Sequence, residues 1–105
     1  MSVTTHVLDT TRGRPALGVN VLLIDPTGDT TAAITDQDGR ARLADAPLLV
    51  GNYQLVFAIA EYFSLSSTGS FYPEVTVAFT VADGAAHHHV PLLVSPYAYS
   101  TYRGS

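Results

Sequence analysis

Four stretches of this chain hold side chains able to do chemistry. They are His87-His88-His89, the isolated His6, Arg40 behind Asp38-Gly39, and the closing Tyr102-Arg103-Gly104-Ser105. In an extended strand successive side chains point to opposite faces, so His87 and His89 share a face with Pro91 and Leu93. His88 then joins Val90, Leu92 and Val94 on the other, apolar face. Two imidazoles side by side have three readings. They are solvated polar residues at a strand start, or two ligands of a zinc ion that still needs a third such as His6. Otherwise they are acid–base catalysts, because imidazole titrates near neutral pH. His6, with Thr4 and Leu8 on its face, is a hydrogen-bonded structural residue or a catalyst. Arg40 is a solvated strand-end residue or a fixed planar charge for an anionic or carbonyl-rich ligand. The tail would fray by default, but Tyr97, Tyr99 and Tyr102 so close together favour an ordered last strand.

Any of these uses requires elements that hold the side chains, and the period of two supplies them almost everywhere. Pro73, Val75, Val77, Phe79 and Val81 alternate with Glu74, Thr76, Ala78 and Thr80, a half-buried strand with Pro73 at its start. Tyr53, Leu55, Phe57 and Ile59 repeat the pattern. Val19, Val21 and Leu23 do so with Leu22 and Ile24 also apolar, which predicts burial on both faces. Further strands are expected over Thr4–Asp9, Thr30–Thr35, Arg40–Ala44, His87–Val94 and Ala98–Arg103. Asp25-Pro26-Thr27-Gly28, Asp36-Gln37-Asp38-Gly39, Gly51-Asn52 and Ala82-Asp83-Gly84 are turn signals between them. One short helix is expected over Ala60–Ser67, where Ile59 and Phe63, then Tyr62 and Leu65, have helical spacing. The predicted fold is all-β: a two-sheet antiparallel β-sandwich of seven to eight strands with one short helix.

Composition bounds the rest. A chain of 105 residues predicts a single domain over 1–105. Without cysteine it has no disulfide, no thiolate metal site and no Cys nucleophile. A net charge of −4, five arginines and no lysine give no basic stripe, so no nucleic-acid partner is expected. Only 13% of residues are charged and 47% are hydrophobic, which favours an oligomer that covers part of the outer surface. The opening residues do not read as a signal peptide. No apolar run approaches the ~20 residues of a membrane span. A cytoplasmic protein with no membrane partner is expected.

Four segments together resemble one family along the whole chain. They are Thr5-His6-Val7-Leu8-Asp9 with Gly13-Arg14-Pro15-Ala16, Thr35-Asp36-Gln37-Asp38-Gly39-Arg40, Phe71-Tyr72-Pro73-Glu74-Val75, and His89-Val90-Pro91 through Ser100-Thr101-Tyr102-Arg103-Gly104-Ser105. This is similar to the transthyretin-like proteins. The terminal Tyr-Arg-Gly-Ser is the mark that separates their 5-hydroxyisourate hydrolases from the hormone-carrying transthyretins. The resemblance implies a homotetramer, a dimer of dimers, with active sites in the channel between dimers and no cofactor or metal. It implies catalytic roles for His6, Arg40, His89 and Ser105, and substrate binding by His87, Tyr102, Arg103 and Gly104. Two positions depart from the family's usual pattern: His88 where it has Tyr, and Ala98 where it has Gly. If position 98 needs positive φ, Ala98 is strained there.

The implied reaction is attack of water on a ring carbonyl of 5-hydroxyisourate with opening of a C–N bond. Such a hydrolysis needs a proton acceptor, stabilisation of the oxyanion and a proton for the leaving nitrogen. The expected division has His6 and His89 handling protons, Arg40 holding the substrate and offsetting charge, and Ser105 shaping the pocket. Two other classes compete: a carrier whose channel holds an aromatic ligand, and a non-catalytic or zinc-binding sandwich.

Overall fold

In a computed structural model that describes residues 2–45 and 47–105, nine strands and one helix form two packed sheets. In order they are β1 (Ser2–Asp9), β2 (Arg14–Pro15), β3 (Asn20–Ile24), β4 (Thr30–Ile34), β5 (Arg40–Asp45), β6 (Gly51–Phe57), α1 (Ile59–Ser64), β7 (Val75–Val81), β8 (His88–Ser95) and β9 (Ala98–Thr101). One sheet runs β2-β1-β8-β9, with β5 also paired to β1; the other runs β4-β3-β6-β7. All pairings are antiparallel except β1 with β8, which is parallel.

The core lies between the sheets and follows the alternation. Val3 and Val7 of β1, Val90, Leu92 and Val94 of β8, Leu55 and Phe57 of β6, and Val75, Val77 and Val81 of β7 are all buried. Leu22 and Ile24 are only half-buried, so β3 has one core face rather than the two expected. The strand count exceeds the expected seven to eight because β2 is two residues long, too short to show a period. The helix also starts earlier and is shorter than its pattern predicts. Ile59, the apparent end of the β6 alternation, is its first residue. Its end is closed by Ser67 at φ 58° and by the Thr68 N–H donating to Phe63 O at 3.0 Å. Pro73 stays outside β7; its carbonyl accepts from the Ala60 N–H at 3.3 Å, tying the loop to the helix start.

A buried carboxylate joins the layers. Asp9, at the end of β1, accepts Tyr62 Oη from α1 at 2.8 Å, Arg12 Nη1 at 2.8 Å and the backbone N–H groups of Thr11 and Arg12. Burial pushes its pKa up, but the hydrogen bonds from Tyr62 and Arg12 outweigh it and hold the group below the ordinary carboxylate value. Ala98 raises no difficulty, since Ser67 is the only non-glycine with positive φ among the described residues.

Candidate active site

The outer face of the β2-β1-β8-β9 sheet holds the site, and strand register assembles it. Parallel pairing sets Thr4 beside His89 and His6 beside Pro91. Antiparallel pairing on the other edge of β1 sets His6 opposite Arg40 and Thr4 opposite Arg42. Side chains of one parity on three adjacent strands therefore share a surface, while Val3, Thr5, Val7 and His88 of the other parity turn inward. His88 is 6% exposed and packs its ring against Phe79 at 6.3 Å.

Arg40 is placed by its turn. Asp36 Oδ1 accepts the Asp38 and Arg40 N–H groups at 2.9 and 3.0 Å, and the Gly39 N–H donates to Asp36 O at 2.9 Å. Gly39 adopts φ 74°, and a Cβ there would meet the Val7 carbonyl at 2.4 Å, so glycine is needed for conformation and for space. The Arg40 guanidinium has no carboxylate partner among the described residues.

The tail closes the other side. After β9 the backbone returns, and the Gly104 N–H donates to the His89 carbonyl at 2.8 Å. A Cβ at Gly104 would lie 2.4 Å from His89 Cδ2, so only glycine lets the tail lie flat on that ring. An open basin of about 860 Å³ results, lined by Thr4, His6, Arg40, Arg42, His87, His89, Tyr102, Gly104 and Ser105 among others. Seven of the eight residues singled out in the sequence thus meet there. Arg103 does not: it lines a neighbouring crevice with Val77, Phe79 and His88, a crevice that shares His89 and Tyr102 with the basin. Thr4 and Arg42 are members that the sequence did not single out, Thr4 standing there only as a neighbour of His6. The signal for Thr4 was the register with His89, which a single strand does not reveal.

Within the basin His87 and His89 lie nearly parallel, ring centres 6.1 Å apart and planes inclined by 10°. Thr4 Oγ1 stands 2.8 Å from His89 Nδ1. Burial pushes the His89 pKa below the ordinary imidazole value, and the charges of Arg40, His87 and His6 push the same way, against hydrogen bonding with the Thr4 backbone. His87 is lowered too, by burial and by Arg42 among other charges. At neutral pH both rings are therefore mainly uncharged and able to accept a proton. With Arg40 and Arg42 beside them the basin favours an electron-rich ligand. No group of three His, Cys, Asp or Glu side chains among the described residues is arranged to hold a metal ion.

Comparison with known proteins gives a consistent picture. The model of the HIUase/Transthyretin family matches residues 3–104. A protein of Deinococcus radiodurans named 5-hydroxyisourate hydrolase is 48% identical, over 98% of this chain and 95% of its own length. The solved 5-hydroxyisourate hydrolase of Klebsiella pneumoniae superimposes with a TM-score of 0.89 at 35% identity, covering 99% of this chain and 93% of that one. Sea bream transthyretin, solved with thyroxine, superimposes with a TM-score of 0.87 at 22% identity over 99% of this chain and 95% of that one. That last likeness speaks for the fold alone.

Proposed function

The chain belongs to the HIUase/Transthyretin family, and from that premise we propose that it opens the ring of 5-hydroxyisourate by histidine-assisted attack of water. The product is 2-oxo-4-hydroxy-4-carboxy-5-ureidoimidazoline, and the reaction belongs to urate degradation. The observation that carries this reading is the meeting of His6, Arg40, His89 and Ser105 on one basin. The fold alone would not carry it, since sandwiches host many activities.

His89 is the proton acceptor for water, its lowered pKa keeping the ring bare at neutral pH. His6, across from Arg40 on the same face, orients the water or handles the second proton. Arg40, without a carboxylate partner among the described residues, holds the substrate and offsets charge on the developing oxyanion. Ser105, Tyr102, Gly104 and His87 line the substrate's place; Arg103, outside the basin of its own chain, is assigned no substrate contact there. Ser105 is given no nucleophilic role: it lines the basin, and no triad partner for it stands among the described residues. A carrier of an aromatic ligand would be better served by an apolar lining than by this one.

The whole of 1–105 acts as one transthyretin-like domain and assembles as a dimer of dimers with the basins along the channel. Support comes from β9, whose four residues are all exposed and whose outer edge has no partner strand among the described residues. Leu17, Ile34, Tyr97, Tyr99 and Tyr102 are exposed as well. No helix of the described residues is long and apolar enough to cross a membrane. The reading puts the reaction in the cytoplasm, which cell fractionation would check.

The test is to make 5-hydroxyisourate in situ with urate oxidase and follow its absorbance decay with and without the protein. Accelerated decay is expected from the wild type, and little from His6→Ala or His89→Ala, each still folded by circular dichroism. Full turnover by either variant would overturn the histidine assignment; no acceleration by the wild type would overturn the activity.

A further inference from the structure

Resting on the hydrolase reading of the basin, we propose that Thr4 and His87 form a proton relay connecting His89 to solvent. Thr4 is the positioning residue that decides which ring nitrogen of His89 carries the proton. Four side chains make one row. Ser2 Oγ lies 2.9 Å from His87 Nδ1, His87 Nε2 3.4 Å from Thr4 Oγ1, and Thr4 Oγ1 2.8 Å from His89 Nδ1. The two rings, their centres 6.1 Å apart and their planes nearly parallel, make no hydrogen bond to each other. The hydroxyl between them both accepts and donates, so it can bridge them.

The order of donors follows from the chemistry required. A neutral imidazole has one N–H and one bare nitrogen. If His89 Nδ1–H donates to Thr4 Oγ1, the bare nitrogen is Nε2. Every buried side-chain nitrogen and oxygen among the described residues has a hydrogen-bond partner, and His89 Nε2 has none, so Nε2 is open to solvent. The Thr4 hydroxyl then donates to His87 Nε2, and His87 Nδ1–H donates to Ser2 Oγ. Each donor meets one acceptor. The opposite order would put the proton on His89 Nε2 and leave no base toward water.

Turnover uses the row in both directions. Nε2 takes a proton from the attacking water and His89 becomes a cation. Its Nδ1 proton passes to Thr4 Oγ1 as the Thr4 hydroxyl proton passes to His87 Nε2. The charge now sits on His87, the exposed ring, and His89 is neutral with its proton on Nε2. When Nε2–H is given to the leaving nitrogen, the relay returns a proton to Nδ1. One proton has moved from water to the leaving nitrogen, and no electron has been exchanged. The relay removes a second positive charge from the neighbourhood of Arg40. The titratable and charged groups around the pair include His6 on β1, Asp36 of the turn before β5, Arg40 and Arg42 on β5, His88 on β8, and Tyr102 and Ser105 of the tail.

The experiment compares wild type, Thr4→Val and Thr4→Ser. Without substrate, nitrogen NMR of the histidine rings near neutral pH is expected to find the His89 proton on Nδ1 in wild type and Thr4→Ser. In Thr4→Val it should move toward Nε2. A proton on Nε2 in the wild type overturns the relay, whether or not the valine variant folds. With 5-hydroxyisourate, Thr4→Val is expected to lower kcat by about tenfold or more, with KM little changed and serine restoring the rate. His87→Phe should lower kcat by a similar factor, and the double variant should fall no further, as two links of one row require. Additive losses, or a wild-type kcat in Thr4→Val, overturn the relay. A wild type inert toward the substrate sinks the hydrolase reading, while the NMR result still decides the order of donors.

Discussion

Gly104 has no functional group, yet it shapes the basin. It touches the His89 ring edge and gives its N–H to the carbonyl of the same residue. A Cβ added there must displace either a ring held by Thr4 or the tail itself. Gly104→Ala is therefore expected to remove most turnover, with stability changed by about 1 kcal/mol or less, since one backbone hydrogen bond is at stake. Steady-state rates beside a urea titration check it; an active alanine variant would mean that the tail need not lie flat. Proton affinity belongs to the same scale. His89 is held below the ordinary imidazole value of about 6.5 by burial and by Arg40, His87 and His6. A base works only while deprotonated, so the acid limb of kcat/KM should fall below that pH. A limb at or above it would reassign the base.

At the scale of elements, the sheets are held in relation by more than apolar contact. Asp9 ends β1, receives the Tyr62 hydroxyl from α1 and pairs with Arg12. Its pKa is lower folded than unfolded, so its stabilisation is fully present above the unfolded carboxylate value and is lost as pH falls through the folded one. Asp9→Ala leaves the Tyr62 hydroxyl without its acceptor and should cost about 2–3 kcal/mol. Denaturant midpoints should converge with the wild type in acid, where both lack the charge. A constant difference across pH would assign the loss to packing instead. The strands around this group were legible from alternation, with Val75, Val77 and Val81 buried and His88 turned inward as the period requires. The two-residue β2 and the end of β6 at Phe57 were not. Two residues carry no period, and Ile59 fits a strand or a helix equally well.

For the whole molecule, the question is what the exposed β9 edge and the tail beyond it are for. The tail is attached to its own chain by the bridge between Gly104 and His89, and Tyr102 is 58% exposed. Removing residues 102–105 should abolish hydrolysis and leave a folded sandwich with an unchanged far-ultraviolet spectrum. Sedimentation should give the full-length protein a mass near four times the 11.1 kDa chain. A monomeric protein with full activity would show that the basin of one chain suffices.

Alternation and turn chemistry settle most of the strands and which side of each faces inward, because a period of two is a local property of extended backbone. The motifs His6, Arg40, His89 and the terminal Tyr102-Arg103-Gly104-Ser105 could likewise be read from the sequence, as could the family they resemble. Which strand lies beside which is not local. Only the pairing of β1 with β5 and β8 decided that Arg40 faces His6 and that Thr4 bridges His87 and His89. It also placed Arg103 in a neighbouring crevice with Val77, Phe79 and His88 rather than in the basin that Tyr102 and Gly104 line. Hydrogen bonds across a sheet join residues more than eighty positions apart, and no pattern within one strand encodes its neighbour's register.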